Sequence, residues 1–118
     1  MAAELHMKHS TSAKYNNIKV QIDEFVFDSQ KEAKRYTELN LLQRAGKISE
    51  LQLQVRFEII PKQEEERACY YVADFVYVEN GKKIAEDVKS SATKTAAYII
   101  KKKLFKKIYK EYEFREIN

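Results

Sequence analysis

A chain of 118 residues with 44% hydrophobic content is long enough for one domain with a real core and too short for two. No run approaches the ~20 apolar residues of a membrane span, and no charged-then-apolar leader predicts secretion. The net charge of +4 is unevenly spread: residues 91–118 carry seven Lys and one Arg against three Glu, a net of +5, while the other 90 residues carry 14 positive and 15 negative charges, a net of −1. That asymmetry points to a polyanionic partner.

Taken in order, residues 1–14 show no periodicity and predict a disordered tail ahead of a single domain over 15–118. The tail's His6 and His9 have no further His or Cys partner beyond Cys69, so they are not expected to bind metal. Ile18 to Phe27 alternates apolar and polar residues around Asp23-Glu24, which predicts a short hairpin. Ser29 and Glu32 then match a capping box opening a helix that runs to about Ala45 and stops at Gly46. At 100° per residue, Ala33, Tyr36, Leu39 and Leu42 define its buried arc, and Glu32 falls inside that arc.

Leu51 to Pro61 predicts a strand, and Gln63 to Arg67 a charged surface loop. The next stretch organises the chain: Cys69–Val78 is almost all aromatic or β-branched, Asn80-Gly81 is the strongest short-range hairpin signal, and Lys83–Lys89 is the returning strand. Its lone cysteine, Cys69, excludes an internal disulfide framework, suits a reducing cytoplasm and is expected to be a buried packing residue. A second helix is predicted from about Lys94 to Lys110, with Ala96, Ala97, Ile100, Leu104 and Ile108 facing inward. Lys102, Lys103, Lys106, Lys107 and Lys110 then share an outer arc of roughly 140°. Tyr112 to Ile117 predicts a last strand. The order hairpin, α, β, β, β, α, β makes the class α/β, with a central mixed sheet flanked by helices. There is no internal repeat.

Charged residues interrupt the central hairpin where a buried strand should be apolar. Asp74 breaks a run of ten residues with no nearby turn to use it, and Asp87 shares a strand face with Lys89. Desolvation penalises such charges unless something binds them. Each has a plainer reading. Glu32 can be only the third residue of its capping box, Asp87 and Lys89 a same-face ion pair, and the lysine arc a solvated surface. Five like charges with no interleaved acid cost stability, however, which favours phosphate opposite them.

Ala73-Asp74, followed thirteen residues later by Asp87-Val88-Lys89 and preceded by a helical glutamate, resembles the PD-(D/E)XK nuclease superfamily. In more detail, the segment Phe27–Ala33, the run Tyr71-Val-Ala-Asp-Phe75, Glu86-Asp-Val-Lys89 and Lys101-Lys-Lys-Leu-Phe105 resemble a small uncharacterised family within it, found in phages and prophages. The likeness spans residues 15–117, with Ala73 in place of proline and Asp87 in place of the commoner glutamate.

The resemblance implies a restriction-endonuclease-like αβββαβ core and a Mg²⁺- or Mn²⁺-dependent DNA endonuclease, phage- or prophage-encoded and cytoplasmic. It implies Asp74, Asp87 and the Val88 backbone carbonyl as metal ligands, with Glu32 acting through water or a second ion. Lys89 would orient the attacking water and stabilise charge on the phosphate. The five lysines would contact DNA, by analogy a branched or junction substrate in phage recombination or replication. Cutting both strands with one site per chain calls for a homodimer. Gln54 and Tyr98 are further residues that can reach the site. The alternative is a non-catalytic nucleic-acid-binding protein with a degenerate nuclease fold. A third reading is a protein-interaction adaptor without divalent-metal affinity, docking through its sheet edge and lysine surface.

Overall fold

A computed structural model describes residues 19–118. The expected tail, His6, His9 and Ile18 lie outside them. A two-stranded antiparallel hairpin, β1 (Val20–Ile22) and β2 (Phe25–Phe27), leads into helix α1 (Gln30–Arg44). Three antiparallel strands follow: β3 (Ser49–Ile60), β4 (Cys69–Glu79) and β5 (Lys82–Val88). A short 3-10 turn at Ser91–Thr93 and helix α2 (Ala96–Ile108) then cross over to β6 (Tyr112–Ile117), which pairs parallel with β5. The result is an α/β domain with a mixed four-stranded sheet in the order β3-β4-β5-β6 and a helix before and after its antiparallel part. No helix among the described residues is long and apolar enough to cross a membrane.

Local chemistry accounts for the boundaries. The Ser29 hydroxyl accepts the Glu32 backbone N–H at 3.2 Å and caps α1, while Gly46 at φ +76° ends it. Asn80 and Gly81 both take positive φ, 53° and 77°, as a tight hairpin turn matched to strand twist requires. The Thr95 hydroxyl caps α2 by accepting from Tyr98 N–H.

Two cores lie on the two faces of the sheet. Helix α1 and the first hairpin cover one, built on Phe27, Tyr36, Leu39, Phe75, Tyr77 and Ile84; α2 covers the other, built on Phe57, Tyr71, Ala73, Val76, Tyr98 and Phe105. Strict alternation would put Tyr71, Ala73, Phe75 and Tyr77 on one face. Instead the first two join the α2 core and the last two the α1 core, so the alternation slips by one at Asp74. Strand β3 slips at the same level, at Gln54, whose φ is +54°. Because both strands slip together the register holds on either side, Leu53 opposite Phe75 and Val55 opposite Ala73.

Three expectations need correction. The last turn of α1 holds no buried residue, and Leu42 is 36% exposed because the helix packs through Ala33, Tyr36 and Leu39. Cys69 is half-buried at the rim of the α2 core rather than inside it. The larger correction concerns α2, whose buried residues are Tyr98 and Phe105, with Ala96, Ala97, Ile100 and Ile108 all exposed and Leu104 half-buried. Phe105 packs among Phe57, Tyr71, Tyr109 and Phe114 with ring centroids 4.8 to 6.2 Å away. An aromatic ring buries about 150–250 Å² and adds pair geometry to it, so two rings outweigh the aliphatic stripe in setting the helix rotation.

Candidate active site

The site lies where β4 and β5 part. Ladder pairing runs from Glu79 opposite Lys82 down to Phe75 opposite Glu86 and stops there. One position further on stand Asp74 and Asp87, and the Asp74 carboxylate takes the place of the missing ladder by accepting the Val88 N–H at 2.8 Å. Gln54 donates to the other Asp74 oxygen at 3.4 Å, so the slip at Gln54 aims that side chain into the site.

Asp74 is 8% exposed and Asp87 2%. The Tyr71 hydroxyl donates to Asp87, and Lys89 Nζ lies 3.2 Å from its other oxygen. Lys89 also stands 4.6 Å over the Tyr98 ring, and Lys102 lies 5.5 Å from the same ring. Tyr71, Asp87, Lys89, Tyr98 and Lys101 line an open cleft of about 280 Å³ between the sheet and the start of α2.

Glu32 enters from the first turn of α1. It is not the reciprocal half of a capping box, because only the Ser29 hydroxyl arm of the box forms. Burial above all pushes its carboxyl up to about 7; the Asp28 carboxylate adds to this, Lys89 and the Asp28 backbone N–H pull it back, and Asp87 pushes it further. Asp74 is raised well above the usual carboxylate range, by burial first, then by Glu32 and Asp87, against the Val88 N–H. The four residues Glu32, Asp74, Asp87 and Lys89 therefore lie within reach of one another's charge, although α1, β4, β5 and the residue just after β5 supply them. Burial likewise raises the Tyr71 hydroxyl, with Asp87 reinforcing it.

The donor set suits a hard divalent cation. Among the described residues no three Asp, Glu, His or Cys side chains close round a single point. Two carboxylates completed by water are, however, the arrangement Mg²⁺ takes.

The lysine arc is not uniform. Lys102 is half-buried, 3.6 Å from Glu116, with its ammonium 5.5 Å from the Tyr98 ring and 6.0 Å from the Phe114 ring. Glu116 also pairs with Lys94 at 2.9 Å and accepts from the Tyr98 hydroxyl, which together hold its carboxyl near 2. Lys103, Lys106, Lys107 and Lys110 are exposed. Sequence reasoning missed Tyr71, Lys101 and Glu116. Tyr71 alone left a signal, as a tyrosine at i−3 from Asp74 in a strand too apolar to spare a hydroxyl without a partner.

Fold and site thus define a small α/β protein with a buried carboxylate pair and a lysine at a strand opening. The chain belongs to the family described as protein of unknown function DUF1064, whose model matches residues 12–117. No curated protein and no solved structure matches it.

Because Glu32 binds its proton more tightly when folded than at the ordinary 4.5, the folded state holds more protons between pH 4.5 and 7. Stability must then fall as pH rises through that window. Glu32→Gln should raise the melting temperature at pH 8 and leave it unchanged at pH 4. Parallel melting curves check this; equal curves at pH 8 would place Glu32 in an ordinary solvated setting.

Proposed function

We propose that the protein is a divalent-metal-dependent DNA endonuclease built on a restriction-endonuclease-like core. The observation that carries this reading is the burial of Asp74 and Asp87 side by side at the end of β4–β5 pairing, with Lys89 3.2 Å from Asp87. A structural role does not require two adjacent buried carboxylates, whose mutual repulsion and desolvation cost stability. The element order α-β-β-β-α-β also supports it.

In this reading Asp74 and Asp87 bind Mg²⁺ or Mn²⁺. The Val88 carbonyl supplies a further oxygen, since it shares a strand edge with the N–H that meets Asp74. When bound, the ion would lower the pKa of an attacking water and neutralise phosphate charge. Lys89, held against Asp87 and the Tyr98 ring, places a fixed positive charge where negative charge develops on the phosphate. Glu32, at about 7, is matched to accepting a proton at neutral pH. Tyr71 keeps one Asp87 oxygen occupied and so fixes which oxygen faces the opening.

The deciding experiment incubates the protein with labelled duplex, flap, fork and four-way DNA, with and without Mg²⁺ or Mn²⁺. Metal-dependent cleavage of any of these is expected, with branched substrates preferred. Cleavage of none, together with no heat of Mn²⁺ binding, would overturn the reading.

The exposed lysines give a second check. Replacing Lys106 and Lys110 with glutamine removes two phosphate contacts if both face DNA. The slope of log K against log salt should then flatten by about two units, at roughly 0.9 per phosphate. Binding titrations at four salt concentrations read this directly, and an unchanged slope would place the DNA path elsewhere.

A further inference from the structure

Helix α2 uses one apolar face and leaves a second one open. Tyr98 and Phe105 are spent on the sheet, while Ile100 is 58% exposed and Ile108 47%, with half-buried Leu104 between them. These three follow at i, i+4 and i+8, so they form one ridge about 80° wide, centred roughly 110° round the helix from the Tyr98–Phe105 face, with Leu104 also touching the edge of the α2 core. Single exposed aliphatic residues need no explanation; a continuous row does. A row with this spacing is the ridge that fits the groove of another helix.

The flanks select the occupant. Lys103 and Lys107 border the ridge on one side and Lys101 on the other, and α2 carries no acidic residue at all. A second copy laid helix to helix would set these lysines against their own twins with nothing to offset them. A bilayer surface suits a wider apolar face with aromatic residues in it, and the aromatic residues of α2 point inward. Nucleic acid gains nothing from a row of aliphatic carbons, which offers phosphate no donor.

We propose that this ridge receives an amphipathic helix of a partner protein, with apolar residues at i, i+4 and i+7 or i+8 flanked by Asp and Glu. The docking surface lies on the flank of α2 beside the Tyr98–Phe105 face, and the proposal does not depend on the nuclease reading.

A displayed library of 20-residue helical peptides tests it, selected on the full chain and counter-selected on the I100E/I108E double variant. Circular dichroism and melting check that the variant is folded, and I100Q/I108Q serves as the contrast if it is not. Enriched peptides are expected to share an apolar i, i+4 row and a net negative charge. One of them, made synthetically with a tryptophan reporter in a background that has none, should bind the wild type in a salt-sensitive way. Its affinity should fall at least tenfold on the double variant and comparably on K103E/K107E. No enrichment over the counter-selection, or enrichment without acidic bias, overturns the proposal. So does a wild-type dimer in sedimentation equilibrium that the double variant abolishes, since the ridge would then belong to a second copy.

Discussion

Asp74→Asn and Asp87→Asn should each abolish metal-dependent cleavage while leaving the protein folded. Asparagine keeps the shape of the side chain and, at position 74, an oxygen able to accept the Val88 N–H, so the strand end stays closed. What disappears is a carboxylate able to bind the ion. If each carboxylate contributes several kcal/mol of charge stabilisation through its ion, a loss of about 4 kcal/mol corresponds to roughly a thousandfold in rate. Asp74→Asn should melt at the same temperature as the wild type or higher at neutral pH. Its carboxyl is held well above the usual range by burial, Glu32 and Asp87, so its charged form is unfavourable without a cation beside it. Single-turnover cleavage and calorimetric titration with Mn²⁺ read the two effects separately. Unimpaired cleavage in either variant would remove the proposed metal site.

Glu86→Ala should produce the largest loss of stability of any single change in the sheet. Glu86 is fully buried on the α1 face. It accepts from Arg35 Nε and Nη2, at 2.9 and 2.6 Å, and from the Tyr77 hydroxyl as well. Arg115 donates to that hydroxyl at 3.2 Å and pairs with Glu79 at 2.8 Å. The bidentate bridge ties α1 to β5, and so ties the helix bearing Glu32 to the strand bearing Asp87. Removing one partner of a buried pair typically costs about 3–5 kcal/mol, because the other charge is left unmatched. For a domain of this size that lowers the melting temperature by about 10 °C or more. Replacing both partners, R35M together with E86L, should recover much of the loss, since apolar side chains of similar volume avoid desolvation altogether. Urea unfolding of the wild type and the two variants checks this. A double variant no better than E86A would mean that Tyr77 and Arg115, not Arg35, depend on Glu86.

Local chemistry was legible in the sequence. Ser29, Gly46 and Asn80-Gly81 act on their own neighbours through hydrogen bonds and permitted φ, so they marked the ends of α1 and the central turn without help from the rest of the chain. Asp74, Asp87 and Lys89 stood out for a related reason, because charge within a strand of high β-propensity is anomalous wherever that strand packs. Glu32 also stood out, as an acid inside a helix's apolar arc. Only the tertiary structure decided which groups meet. It joined Glu32 to the pair through the docking of α1, and it brought in Tyr71 through a slip shared by β3 and β4 that no single-strand pattern reveals. It also turned α2 by roughly a third of a revolution from the rotation its aliphatic spacing predicts. Periodicity records that a helix has an apolar stripe, but α2 has two, and the choice between them rests on how much ring surface the sheet can bury. Long-range packing energy, not local propensity, settled that choice, and it left the aliphatic ridge facing outward.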